Sequence, residues 1–180
     1  MANRCGAPVD PSPLPPVSGE AGSRAELLIR KLAASSLSLV TAESCTAGLV
    51  ADLLARVPGA SRVFWGAFVC YTLEAKVKML GLKEESINRY GAVSRETACA
   101  MVKGALDKSG ADLAVSVTGL AGPGGDGTAT PVGTVWIGTM ARGGEPETAV
   151  FRYSGPRNEV RISAAEDALG ELIKQFPWGK

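Results

Sequence analysis

The patterning of this 180-residue chain predicts a single α/β domain in three α/β/α layers, with a mixed, mostly parallel sheet and a C-terminal hairpin and helix. Two observations lead there. From Arg24 onward, helical and strand-like periodicities alternate, as they do where helices cross over between parallel strands. Near the end, two β-like runs, Val132 to Met140 and Thr148 to Tyr153, are joined only through Arg142-Gly143-Gly144-Glu145, which suits an antiparallel hairpin, and a last helix follows.

The elements follow in order. Residues 7 to 23 are rich in Pro, Gly and Ser and poor in aliphatics, so they cannot bury enough apolar surface to offset the entropy of ordering. Residues 1–23 are therefore expected to be a disordered tail and 24–180 the domain. A first helix spans Arg24 to Ala34 with Leu27, Leu28 and Leu32 on one face, and Leu37 to Val40 is strand-like. A helix from about Thr46 ends at Val57-Pro58-Gly59, whose Pro and Gly are stop signals. Val63 to Tyr71 is a nearly continuous apolar run rich in aromatic and β-branched residues, which predicts a strand covered on both faces. Glu74 to Leu80 is helical and closed by Gly81. Ser94 is an N-cap for a helix through Lys108, with Ala98, Met101, Val102, Ala105 and Leu106 at helical spacing. Asp112 to Thr118 is a short buried strand. The last helix starts near Asn158 and turns Val160, Ala164, Ala168, Leu169, Leu172 and Ile173 inward.

Composition narrows the function. With 19 Lys and Arg against 18 Asp and Glu the chain lacks the basic cluster that tracks a nucleic-acid backbone, so no nucleic-acid partner is expected. Four cysteines at 5, 45, 70 and 99 form no CxxC pair, and without any histidine they make a poor zinc site. No metal is expected. Scattered single cysteines, no apolar leader and no run long enough to span a bilayer predict a soluble cytoplasmic protein.

The chemistry concentrates between the first strand and the second helix, in Ala42-Glu43-Ser44-Cys45-Thr46-Ala47-Gly48. A helix N-terminus presents unpaired N–H groups and positive partial charge, so a Ser there lies beside donors for an oxyanion or a phosphate. Capping the helix is the ordinary use of the same residues, and both uses fit. A nucleophilic Ser in a chain without histidine needs Lys, Tyr, a carboxylate or a metal-bound water as its base. Lys76 is a candidate, and Tyr71 and Lys76 bracket the end of the long apolar strand so that both can turn toward Ser44 and Thr118. To accept a proton near neutrality, Lys76 must fall from a pKa of about 10.4 to about 7 or 8, which burial or a nearby cation supplies. A solvated Lys and a half-buried packing Tyr are the commoner outcomes in such places.

The loop Thr118 to Thr128 contains a formal GxGxxG at Gly122, Gly124 and Gly127, but the residues after it start a strand where a dinucleotide fingerprint needs a helix. The P-loop pattern fails as well, with Gly125 standing where its Lys belongs. Glycines still allow close backbone approach and an anion-binding nest, as well as a plain flexible connection. Arg157, at the start of the last helix, suits a bidentate contact with a phosphate or carboxylate, or a surface ion pair.

Taken together, Thr41-Ala42-Glu43-Ser44-Cys45-Thr46-Ala47-Gly48, Tyr71 to Lys76, Gly91-Ala92-Val93-Ser94, Thr118-Gly119-Leu120-Ala121-Gly122-Pro123-Gly124-Gly125 and Pro131-Val132-Gly133-Thr134-Val135 resemble the C-terminal domain of the competence-damage-inducible family, CinA, from about Arg24 to Phe176. That family includes bacterial nicotinamide mononucleotide deamidases, which release ammonia and nicotinate mononucleotide. The resemblance implies an amidohydrolase for a small nucleotide, needing no cofactor. It implies Ser44 as nucleophile, Lys76 as proton acceptor and Tyr71 as a helper in the proton relay or in ring placement. Substrate contacts are then expected from Glu43, Cys45, Thr46, Thr118, Gly119, Gly122, Gly124, Gly125 and Arg157. A non-catalytic nucleotide- or phosphate-binding module of the same fold is the alternative, and a homodimer or higher homo-oligomer the expected assembly. The chain departs from the family's usual pattern at Ala47, commonly Gly, at Thr72-Leu73, commonly Ser-Asn, and at Pro156, commonly acidic.

Overall fold

The structure, a computed structural model, describes residues 24–176 and 178; the Pro-rich segment 1–23 lies outside the described residues. Five strands form one sheet in the order β2-β1-β3-β4-β5: β1 Leu39–Glu43, β2 Phe64–Val69, β3 Leu113–Gly119, β4 Thr134–Ala141 and β5 Glu147–Arg152. β1 pairs in parallel with both β2 and β3, whereas β4 runs antiparallel to β3 and β5 antiparallel to β4. One face of the sheet carries α1 (Arg24–Ser35), α2 (Leu49–Ala55) and α6 (Arg157–Gln175), and the other carries α3 (Leu73–Leu80), α4 (Glu84–Tyr90) and α5 (Arg95–Ser109). The three layers and the closing hairpin and helix match the expectation.

Two separate apolar clusters fill the interlayer spaces. Leu28, Leu32, Leu54, Val115, Ile137 and Leu169 represent the first, and Val40, Met101, Val102, Leu106 and Ala114 the second. β1, in the middle, is buried along its whole length because it contributes to both.

The chain leaves β1 through α2 to reach β2 on one side, then returns through α3 to α5 on the opposite face to reach β3 on the other. A crevice opens where connections diverge from adjacent parallel strands, beyond their C-terminal ends. Here that place is the end of β1 and β3, so Ser44, which follows β1, and the loop after β3 meet there.

Local chemistry accounts for the element boundaries. Ser94 accepts from the Thr97 amide as the α5 N-cap, and Gly81 and Gly110 end α3 and α5 in left-handed conformations at φ +75° and +68°. Thr72, where the family pattern has Ser, caps α3 by accepting from the Ala75 amide.

Four expectations require correction. β2 is an edge strand and is not covered on both faces: Trp65 is 51% exposed and Val69 42%. Its apolar run misleads because aromatic content alone does not distinguish an inner strand from an edge. Leu27 is 43% exposed, and Ala25 and Ile29 take its place on the buried face of α1. α2 starts at Leu49 and not near Thr46, since β1 continues through Glu43 and residues 44–48 form a separate loop. The helix α4 falls in a stretch to which the sequence assigned no element.

Candidate active site

The C-terminal ends of β1, β2 and β3 surround a cleft of about 340 Å³. Ser44 and Cys45 line it from the end of β1, Tyr71 and Lys76 from the β2–α3 junction, and Thr118, Gly119, Gly122 and Gly124 from β3 and its loop. Arg157 reaches it from the first turn of α6. Leu73, Ala92, Val93, Leu120, Ala121 and Asp126 complete the lining and were not singled out from the sequence. All but Asp126 nevertheless fall within the family-like segments at 71–76, 91–94 and 118–125.

At the centre, Lys76 Nζ lies 2.8 Å from Ser44 Oγ and donates to the carbonyl oxygen of Cys70 at 3.1 Å. Lys76 is 2% exposed and Ser44 8%. Among the described residues no carboxylate pairs with Lys76. Burial lowers its pKa below the ordinary lysine value, opposed by smaller contributions from the Cys70 and Cys45 thiols. α3 brings this amine inward because Lys76 and Leu80, four residues apart, share the buried face of the helix.

Cys45, beside Ser44, is a different kind of group. Burial pushes its thiol up to about 11, which leaves it protonated at neutral pH. Of the two groups it is the Ser44 hydroxyl, not the Cys45 thiol, that the Lys76 amine contacts.

The loop between Ser44 and α2 is held peptide by peptide. The Ser44 amide donates to Val117 O at 2.9 Å, and the Ala47 amide returns to Ser44 O at 3.1 Å. Glu43, fully buried, accepts from the amides of Gly48 and Val50 through one carboxylate oxygen and from the Ala51 amide and Thr41 hydroxyl through the other. Glu43, expected to touch substrate, is instead the N-terminal cap of α2 and does not line the cleft. The first amides of that helix are therefore satisfied internally. Within residues 44–48, the amides of Cys45 and Thr46 have no backbone acceptor among the described residues, and the Cys45 amide lies beside its own thiol. Thr46 is itself fully buried and outside the lining, with its hydroxyl unpaired. Arg161, on α6, donates from Nε to Cys45 O at 3.0 Å and from Nη2 to Thr46 O at 2.9 Å.

Opposite, Arg157 donates from Nη1 to Gly122 O at 2.8 Å and from Nη2 to the Tyr71 hydroxyl. Tyr71 is 52% exposed, a rim residue. The Thr118 hydroxyl donates to Ala92 O at 2.7 Å, tying β3 to the segment before α5. Gly119 leaves no room for a side chain, since a Cβ there would lie 2.6 Å from Val135 Cγ2, whereas Gly124 faces open space. Gly125 is exposed and lies outside the lining.

With this geometry in place, similarity to known proteins is informative. The sequence profile of the CinA C-terminal domain matches residues 22–176. The chain belongs to that family. A CinA-like protein of Akkermansia muciniphila is 48% identical over 142 residues, 79% of this chain but 34% of the relative, so the chain spans about a third of the length of such relatives. A protein of Enterobacter agglomerans named nicotinamide-nucleotide amidohydrolase PncC is 43% identical over 135 residues, 75% of this chain and 82% of that protein. The crystal structure of a CinA superfamily protein from Escherichia coli superposes with a TM-score of 0.82 at 35% identity, over 85% of this chain and 88% of the other. Among the described residues no helix is long and apolar enough to cross a membrane, and no cluster of His, Cys, Asp or Glu is suited to a metal ion.

Proposed function

We propose that this CinA C-terminal domain hydrolyses the carboxamide of nicotinamide mononucleotide to nicotinate mononucleotide and ammonia, with Ser44 as nucleophile and Lys76 as base. The observation that carries the reading is the 2.8 Å approach of Lys76 Nζ to Ser44 Oγ at a site where the amine is buried and has no carboxylate partner among the described residues. The similarity to the amidohydrolase of Enterobacter agglomerans supports the substrate class.

The uncharged amine takes the Ser44 proton as Oγ attacks the carboxamide carbon, and the resulting oxyanion accepts from the Cys45 amide, the one beside Ser44 on a residue that lines the cleft. When the tetrahedral species collapses, the C–N bond breaks and the Lys76 ammonium protonates the departing nitrogen, releasing ammonia and leaving a Ser44 ester. Water then repeats the sequence: Lys76 takes its proton, its oxygen attacks the ester carbon, and Ser44 leaves with the proton returned from Lys76. One water is consumed, and the product is the carboxylate.

Arg157 and the backbone around Gly122 and Gly124 take the phosphate end. Tyr71, half-exposed and hydrogen-bonded to Arg157, fits placement of the ring better than a proton relay. A binding module without turnover would have no use for an amine buried against a serine hydroxyl. Purified protein is expected to release ammonia from nicotinamide mononucleotide without added metal, and Ser44→Ala to lose that activity by a factor on the order of 10⁴ or more. Turnover surviving in Ser44→Ala removes the nucleophile assigned here.

A further inference from the structure

We propose that the cleft is also a reversible covalent site for phosphorylated aldehydes, which condense with the Lys76 amine to an imine while Arg157 holds the phosphate. The inference shares the buried amine and the phosphate end with the reading above and needs no hydrolysis. An amine attacks a carbonyl only as the free base, and an ordinary lysine at pH 7 is free base in roughly one molecule in 2,500. Lys76 is placed differently. It is 2% exposed, has no carboxylate partner among the described residues, and hydrogen-bonds to Ser44 Oγ at 2.8 Å and Cys70 O at 3.1 Å. Neither oxygen neutralises an ammonium, so the surroundings favour the uncharged amine, and burial lowers its pKa accordingly. The amine is still within reach of a ligand, because Lys76 lines the same cleft as Ser44, Tyr71 and Arg157. The Cys45 thiol beside it stays protonated at neutral pH, which leaves the amine as the stronger nucleophile.

The rest of the ligand is set by the opposite wall. Arg157 brings its guanidinium to the cleft from the first turn of α6, and its bonds to Gly122 O and Tyr71 use two of its five N–H donors, leaving the others for an anion. Asp126, the one carboxylate of the lining, already accepts from the Thr128 amide and hydroxyl. Leu73, Ala92, Val93 and Leu120 add apolar surface to the same cleft, which suits a compact aromatic or aliphatic body carrying the aldehyde. In the reaction the Nζ lone pair bonds to the aldehyde carbon and the carbonyl oxygen takes a proton, giving a carbinolamine. The C–O bond then breaks, the two hydrogens of the amine leave with that oxygen as one water, and C=N forms. Addition of water reverses the sequence. The Ser44 hydroxyl, 2.8 Å from Nζ, is placed to relay these protons and is itself unchanged at the end. An aldehyde held in this way removes the amine from any other use.

The probes are pyridoxal phosphate and deoxypyridoxal, which share a ring and an aldehyde and differ in the phosphate. Cyanoborohydride reduces any imine to a stable secondary amine, and peptide mass spectrometry locates it. At pH 7 the wild type is expected to carry the pyridoxal phosphate adduct at Lys76, in excess over the exposed Lys78 and Lys174 by roughly 10²-fold. That excess should shrink as pH rises toward the ordinary lysine range, because the exposed amines then become free base as well. Arg157→Ala should cut the preference for pyridoxal phosphate over deoxypyridoxal by roughly tenfold, the size of one charge-assisted hydrogen bond. Ser44→Ala should keep the adduct at equilibrium, and Lys76→Met should lose it. Adducts spread evenly over the exposed lysines, a Lys76 adduct indifferent to the phosphate in the wild type, or bound pyridoxal phosphate that cannot be reduced onto Lys76 each overturn the inference. A Lys76 adduct in a protein inert toward nicotinamide mononucleotide removes the deamidase reading alone. Deamidation by a protein that never forms the adduct removes the covalent site alone.

Discussion

The wall of the cleft that carries Ser44 and Lys76 and the wall formed by the loop after β3 differ in how their backbone is held. On the first, the end of β1 is buried, the loop at Ser44 is tied to β3, Glu43 and Arg161, and the Lys76 amine is removed from water. On the second, residues 123–129 are exposed, and their ties are local: Asp126 accepts from the Thr128 amide and hydroxyl, and the Thr130 amide donates to Thr128. A rigid, desolvated wall can favour a transition state, because its dipoles are in place before charge develops. A yielding wall suits binding that is equal in ground and transition states. Substitutions should therefore act on kcat along the first wall and on KM along the second.

The largest effect is expected from Lys76→Met. Removing the proposed base should lower kcat by a factor on the order of 10⁴ or more, and it should also alter stability in a pH-dependent way. Burial places the folded-state pKa of Lys76 below the 10.5 of the unfolded chain, so between those two values the unfolded state holds a proton that the folded state lacks. Wild-type stability then rises with pH through that window, and below it the fold carries the cost of a buried cation. Lys76→Met has no such cost. Its melting temperature should exceed the wild type most at the acidic end and converge with it as pH approaches 10.5. A variant less stable than wild type across the whole range would mean that the amine sits in the fold as a favourable cation.

On the opposite wall, Arg157→Ala should raise KM by roughly tenfold to a hundredfold, the size of one charge-assisted hydrogen bond, with kcat within about threefold. The product nicotinate mononucleotide should lose affinity by the same factor in calorimetry. A fall in kcat without a change in KM would move Arg157 to the chemical wall.

The two walls were not equally legible in sequence. Alternating periodicity and the caps at Ser94 and Gly81 are local signals, so the layers, the hairpin and most helices could be read directly. Ser44 and Lys76 could be named because the chain lacks histidine, and the separation of 32 residues between them closes only through the β1–β2 pairing. The use of Glu43 was illegible for the opposite reason. A carboxylate beside a nucleophile suggests chemistry, and only the path of the loop shows that it caps α2. Arg161 was missed because its partners are backbone carbonyls on another layer, and no pairing of side chains in the sequence announces such a contact.

The smallest predicted effect concerns how tightly the first wall is held. Ala47, where the family pattern usually has Gly, sits at φ +51°, and Gly48 follows at φ +95°. A Cβ in the left-handed region costs roughly 1–2 kcal/mol, whereas a glycine adds back roughly 0.5–1 kcal/mol of unfolded-chain entropy. Ala47→Gly should therefore stabilise the domain by about 0.5–1 kcal/mol, an increase of about 1–4 °C in melting temperature for a chain of this size. The bond from the Ala47 amide to Ser44 O needs no side chain, so kcat should stay within about twofold if Glu43 and Arg161 suffice to hold the loop. If kcat instead falls while the melting temperature rises, the strained alanine itself contributes to aiming the Cys45 amide, and the rigidity of this wall comes at the expense of stability.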